Sequence, residues 1–239
     1  MKPLWTLGLM LILATPAPAV AQVMDHHNYS LIVLDLLEYQ PGAPGRPLAW
    51  DAVAWSGGDF TRFWIKSEGS VQTAAGTWEA DVQGLYSRLI APFWEFQAGG
   101  RVETKTSGGT NHTRGFLVVG LEGLAPYWFE IEPAVFLSHR GDLSARLTAT
   151  YDMYLAQRMV AQPRLELKAA LQEVPEFGVG PGLNDLNFGF RVRYEIRREF
   201  APYLGVQWVS KFAETASLAR SAGEAVRHFT VVGGLRVWF

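Results

Sequence analysis

Residues 228–239 read His-Phe-Thr-Val-Val-Gly-Gly-Leu-Arg-Val-Trp-Phe. Taken two at a time, they divide cleanly. Phe229, Val231, Gly233, Leu235, Val237 and Phe239 fall on one face, and His228, Thr230, Val232, Gly234, Arg236 and Trp238 on the other. A β-strand repeats every two residues, so this stretch is a strand with one wholly apolar face and one mixed face. Such a strand at the end of a sheet leaves a row of unpaired backbone groups. Pairing it with the first strand of the chain would remove both edges at once, and the rest of the sequence can be read for that arrangement.

Working back from this strand, the same alternation recurs. Residues 185–197 set Leu186, Phe188, Phe190, Val192, Tyr194 and Ile196 against Asn187, Gly189, Arg191, Arg193, Glu195 and Arg197. Residues 143–155, 92–103, 77–87 and 60–68 do likewise; in the last, Arg62, Trp64, Lys66 and Glu68 share a face. Residues 115–123 carry Leu117, Val119 and Leu121 outward, and strands are also expected at 48–55, 127–139, 160–171 and 203–211. The first strand, 31–39, alternates poorly because Leu31 to Leu34 is apolar throughout. The count is twelve. Stretches 105–114 and 172–184, polar or rich in Gly and Pro, are expected as loops.

Connections after even-numbered strands are short, and most of those after odd-numbered strands are longer; the segment 139–142 departs from that rule. Short turns on one side and longer loops on the other, with an even strand number, describe an all-β, antiparallel, up-and-down transmembrane β-barrel with a polar interior. A water-soluble β-sandwich also alternates, but it would pack its apolar faces together.

Composition agrees with interleaving. The chain has 239 residues, 49% hydrophobic and 13% aromatic with nine Trp, yet its mean hydropathy is only +0.04. The net charge of −2 gives no electrostatic case for nucleic acid. Having no cysteine, the chain has no disulfide framework and no thiolate metal site. Lys2, the apolar run 4–14 and the Ala19-Val20-Ala21 site form a secretory signal over residues 1–21, implying export through the Sec pathway. Its removal leaves 20 basic residues against 23 acidic ones, a net charge of −3. A short periplasmic tail, 22–30, then leads into a barrel over 31–239. No stretch after the signal is apolar over the roughly 20 residues that a membrane helix needs.

The tail carries Met24, Asp25, His26 and His27 together. Thioether and imidazole suit Cu(I), and imidazole with carboxylate suits Cu(II), so these are candidate metal ligands beside the plainer reading of a solvated tail. The inward faces are heavily charged with both signs. Two readings of them stand: a salt-bridged interior that holds the barrel's shape, or a path for ions. Hydrolase chemistry would need a Ser with a His base. Ser138 and His139 are adjacent and so point to opposite faces, and Ser210 with His228 carries no supporting motif. No enzymatic activity is expected.

Several stretches carry a more specific likeness. Residues 50–68 (Trp-Asp-Ala-Val-Ala-Trp-Ser-Gly-Gly-Asp-Phe-Thr-Arg-Phe-Trp-Ile-Lys-Ser-Glu), 85–88 with 90–94, 157–167, and above all 193–203 (Arg-Tyr-Glu-Ile-Arg-Arg-Glu-Phe-Ala-Pro-Tyr) resemble the copper resistance protein B family. The resemblance implies a barrel of the Gram-negative outer membrane, bathed in its lipid; a monomer is expected. It further implies a role with copper ions and a periplasmic copper-binding protein in copper tolerance. Members commonly have a Met- and His-rich amino-terminal segment, here reduced to Met24-Asp25-His26-His27. Matching stretches add Glu68, Glu166 and Glu195 as metal candidates, with Asp51 and Asp59 expected near a periplasmic turn. The alternative from another class is a general small porin or structural barrel without metal specificity.

Overall fold

The computed structural model describes residues 27–239 except 75 and 108. Its strands are β1 (Tyr29–Tyr39), β2 (Pro47–Gly57), β3 (Thr61–Gln72), β4 (Trp78–Ala91), β5 (Trp94–Ser107), β6 (Thr110–Ala125) and β7 (Phe129–Ser138). They continue as β8 (Leu143–Thr150), β9 (Met153–Ala156), β10 (Met159–Ala170), β11 (Gly182–Tyr194), β12 (Phe200–Lys211) and β13 (Arg227–Trp238). Every neighbouring pair is antiparallel, and β13 pairs with β1, so the sheet is a closed ring. The segments β8 and β9 both lie against β10 and form one interrupted stave, giving a twelve-strand barrel.

That interruption has a chemical cause. Tyr151 and Asp152 fall between the two segments, opposite Pro163 and Gln162 of β10. The Tyr151 amide reaches the Pro163 carbonyl at 3.2 Å, but Pro163 has no N–H to return the bond. The ladder therefore opens at that point and resumes at Met153.

The outward faces are as the alternation predicts. Leu117 is 66% exposed, Leu204 70% and Phe229 64%. A sandwich would bury these side chains. Spread round a closed ring they make the apolar band that faces lipid. The inward faces carry buried Glu38, Asp51, Lys66, Asp81, Gln83, Gln97, Glu166, Arg191 and Arg193. The interior also holds an apolar cluster of Trp64, Leu85, Phe116, Val118 and Phe136, with Val53 and Trp55 packed against it. One close approach depends on glycine: a Cβ at Gly99 of β5 would stand 2.0 Å from the Gly84 carbonyl oxygen of β4.

The seam is closed by reciprocal backbone bonds, Ile32 N to Phe239 O at 3.0 Å and Phe239 N to Ile32 O at 2.8 Å. Strand β1 carries a bulge here, since Leu34 pairs with Ala52 and Leu36 with Asp51, leaving Asp35 as the extra residue. The bulge accounts for the strand's poor alternation. Asp35 and Glu38, an odd number of residues apart, both reach inward, as their ion pairs with Arg236 and Arg191 require.

Two expected loops are different in the structure. Residues 105–114 are mostly strand, and β5 and β6 run out to a tight turn in which Gly109 has φ +78°. Beyond the lipid both faces are wet, so the strand persists while its hydrophobic alternation fades; Thr104–Thr113 and Thr106–Asn111 side-chain hydrogen bonds tie it instead. The long connection before β13 contains a helix, α1 (Ala213–Ser221), with Glu214 in its first turn and Arg220 in its last, complementing the helix dipole. The β10–β11 connection includes a 3-10 turn, Pro175–Phe177. It docks on α1 where Thr215 Oγ1 accepts from Gly180 N at 2.9 Å and Asn184 Nδ2 at 2.8 Å.

Candidate functional site: the charged lumen

The most unusual inward feature is a row of acids on adjacent strands. Asp51 pairs in register with Glu68, Glu68 with Asp81, and Asp81 with Glu103. Like charges placed directly opposite one another destabilise a sheet unless something intervenes. Here four arginines do so. Arg164 reaches Asp51 at 2.8 Å, Arg146 reaches Glu68 at 2.7 Å, Arg101 reaches Asp81 at 2.8 Å, and Arg114 reaches Glu103 at 2.7 Å. Three of the guanidinium groups also lie over aromatic rings: Arg101 at 4.8 Å and Arg146 at 5.7 Å from the Phe136 centroid, and Arg114 at 3.6 Å from that of Phe177.

The network extends round the wall. Glu166 pairs with Lys168 at 2.8 Å and lies 4.0 Å from Arg164. Asp35 bridges Arg236 at 2.7 Å and Arg164 at 3.7 Å. Glu38, only 1% exposed, takes Arg191 in a two-pronged bond at 2.6 and 3.1 Å.

Toward the end where both termini and the shorter turns lie, the lining changes character. Lys66 sits between Glu122 at 2.8 Å and Glu132 at 2.7 Å, and Gln97 also donates to Glu122. Glu95 takes Arg62 at 2.6 Å, and Asp152 takes Arg193. Glu130 makes no ion pair among the described residues. Asp35, Glu95, Glu122, Glu130, Glu132 and Asp152 thus share this end with Arg62, Lys66, Arg193 and Arg236 as inward cations, and a cation arriving here meets an acid-rich mouth.

Of the candidates named from sequence, Glu68 and Glu166 join one network through Arg146, Arg164 and Asp51. Glu195 lies apart, just beyond β11, 3.7 Å from Arg193 Nε. Asp51 is deep in the wall, not at a turn, whereas Asp59 lies in the β2–β3 turn. Met24, Asp25 and His26 fall outside the described residues. His27 runs past that same turn: a side chain at Gly58 would begin 4.0 Å from the His27 carbonyl oxygen. Among the described residues, no group of three or more His, Asp and Glu is arranged to hold a metal ion. Ser138 donates to Asp142 and His139 bonds Gly115, while Ser210 stands in register with Arg227, not His228, so neither serine has a histidine base. The sequence reading missed Asp35, Glu38 and Glu122 as lining groups; two charges three apart in an apolar run were the available sign of the first two.

Compared with known proteins, residues 28–239 match the family described as "Copper resistance protein B precursor". The chain belongs to the copper resistance protein B family. Copper resistance protein B of Escherichia coli is 38% identical over 212 residues, 89% of this chain and 70% of that protein. A copper resistance protein B homolog of Pseudomonas syringae pv. tomato is 39% identical over 218 residues, 91% of this chain and 72% of its own length. Among solved structures, the NanC porin superposes with a TM-score of 0.53 at 12% identity, covering 87% of this chain and 99% of that one. The KdgM porin gives 0.49 at 13%, covering 88% and 99%. The porin likeness speaks for the fold alone. The family and the barrel together make this copper resistance protein B relative an outer-membrane protein of a copper-resistance system.

Proposed function

We propose that this barrel binds copper ions at its periplasmic end and so contributes to copper resistance, without catalysing a reaction. The observation that carries the reading is family membership across residues 28–239, the whole of the described barrel. The Met24-Asp25-His26-His27 tail supplies soft and borderline donors that suit copper in either oxidation state. Its last residue, His27, passes the β2–β3 turn, at the end of the barrel where Glu122, Glu130 and Glu132 line the lumen. Those carboxylates raise the local cation concentration, and the tail provides the ligands that discriminate copper from other divalent ions.

Glu68 and Glu166 act as the next layer inward in this reading. Each is committed to a basic partner, Arg146 or Lys168, so a metal ion reaching them would have to displace an ion pair. That cost favours binding at the mouth over free passage. Glu195, beside Arg193 at the same end, is placed to serve the mouth. The barrel works as a monomer, receiving copper from a periplasmic copper-binding protein.

The test is genetic and direct. Deleting the gene should raise copper sensitivity, and plasmid-borne wild-type protein should restore tolerance. The double variant His26→Ala/His27→Ala, expressed to the same level in the outer membrane, should restore it only in part. Unchanged sensitivity on deletion, with no copper retained by the purified protein, would remove the proposal.

A further inference from the structure

Two consecutive turns at the periplasmic rim repeat one sequence pattern. Ala91-Pro92-Phe93-Trp94 joins β4 to β5, and Ala125-Pro126-Tyr127-Trp128 joins β6 to β7. In each, the residue after proline has a left-handed backbone, Phe93 at φ 67° and Tyr127 at φ 68°, and Trp128 follows at φ 69°. Proline before a left-handed residue is the type II turn arrangement, which favours glycine at the second position. A bulky aromatic there is disfavoured by the contact between its Cβ and the backbone. Packing within the barrel does not offset that cost, since Phe93 is 64% exposed, Tyr127 83% and Trp128 71%. Phe93 stands edge-on to Trp128 with ring centroids 6.5 Å apart, so the two turns form a single aromatic ledge.

Arg88 stands above this ledge on the outer wall. Leu85 and Ser87 are buried inward, whereas Arg88 shares the exposed face of Tyr86 and Ile90, in register with Thr61 of β3 and Phe96 of β5. It therefore faces lipid, three residues before the end of β4. At about 3.3 Å per residue and a strand tilt of about 40°, it lies roughly 8 Å in from the turn. A guanidinium on the lipid face is costly unless it snorkels to an anion at the interface. The protein supplies none: among the described residues the Arg88 side chain has no ion pair or hydrogen bond. Glu95 of β5 points inward and is taken by Arg62 and Ser87, and Asp59 of the neighbouring β2–β3 turn makes no ion pair with Arg88.

We propose that Arg88 and the aromatic ledge bind the headgroup of an anionic phospholipid from the periplasmic leaflet. Arg88 takes the phosphate through its planar fork of donors. Phe93, Tyr127 and Trp128 sit at headgroup level, where apolar ring bodies and the polar edges of Tyr and Trp are both served. Two features select lipid over a water-soluble partner. The ledge is continuous with the lipid-facing wall, because Ile90, Phe96 and Phe129 are exposed on the outward face beside it. The charge on that wall, Arg88, is complementary to phosphate. Such a seat holds the acid-rich mouth at the membrane surface, since Glu95 and Glu122 pair in register just inside the same two turns.

The inference does not rest on copper binding and fails separately from it, because lipid retention is measured without metal. The probe is phosphatidylglycerol, added to the full-length mature barrel in a neutral detergent and read by native mass spectrometry. Diacylglycerol, which lacks the phosphate, is the control. Wild-type protein should retain phosphatidylglycerol and not diacylglycerol. Arg88→Gln should lower that retention by about tenfold or more, the loss of a charge-assisted bond, and Arg88→Lys should keep part of it. Phe93→Gly and Tyr127→Gly relax the turns, so both variants should fold at least as readily, yet hold the lipid several-fold less tightly. Arg140→Gln, which removes an exposed cation from the opposite end, should behave as wild type. Folding of every variant is verified by the usual gel-mobility shift on heating. Retention by folded Arg88→Gln equal to wild type would overturn the proposal, as would equal retention of diacylglycerol. Glycine variants that fold and hold phosphatidylglycerol as tightly as wild type would overturn it too, leaving the ledge to a water-soluble partner.

Discussion

Glu38 and Arg191 illustrate how side chains hold this molecule together. The pair is almost closed to solvent, with side chains 1% and 6% exposed, and joins strands far apart in sequence across the barrel seam. Removing one partner strands a buried charge, so Glu38→Ala should cost about 3–5 kcal/mol of stability. Replacing both, as Glu38→Leu with Arg191→Leu, should recover most of that loss. Urea unfolding in lipid vesicles measures both; equal loss in the single and double variants would contradict the account. Residue-level legibility was uneven for a physical reason. Alternation placed Arg62, Trp64, Lys66 and Glu68 inward, as found, because β3 is regular. It could not place Asp35 and Glu38 together, because a bulge changes the parity of everything after it. Nor could it pair Lys66 with Glu122 and Glu132, which lie on strands remote in sequence.

Strands were the most readable elements wherever lipid lies on one side and the lumen on the other, as in β6 and β11. Legibility failed where that asymmetry ends. The β5–β6 hairpin continues past the membrane with polar residues on both faces, and α1 lies wholly outside the alternating region, so period two had nothing to report. The break between β8 and β9 had a visible sign in Pro163, but its position opposite Tyr151 needed the register. The elements also depend on close backbone contact. Gly99→Val would drive a side chain into the Gly84 carbonyl, 2.0 Å from where a Cβ would begin, and pry β4 from β5. The expected outcome is a marked fall in folded yield in the heat-mobility assay, with Gly100→Val on the outward face tolerated better, its nearest neighbour being 3.7 Å away. Equal yields from the two variants would argue against that packing.

At the scale of the whole molecule, the barrel is a filled cylinder with two unlike ends. An aromatic and aliphatic cluster around Trp64 and Phe136 occupies part of the interior, ion pairs fill much of the rest, and a cap covers the outer mouth. Barrels of about eight strands are filled and those of about sixteen leave a channel, so strand number alone does not decide the matter for twelve; the side chains do. In planar bilayers the protein should give no wide, non-selective current. Steady currents of general-porin size, indifferent to copper, would favour the porin alternative. The central claim is that copper is held at the periplasmic end by the tail beside the acidic mouth. Its most direct test is titration of the pure mature barrel with Cu(I) and Cu(II), repeated on His26→Ala/His27→Ala. The account predicts saturable copper binding by the wild type and its loss or strong weakening in the double variant. Copper binding absent from both proteins, or equally tight in both, would contradict it.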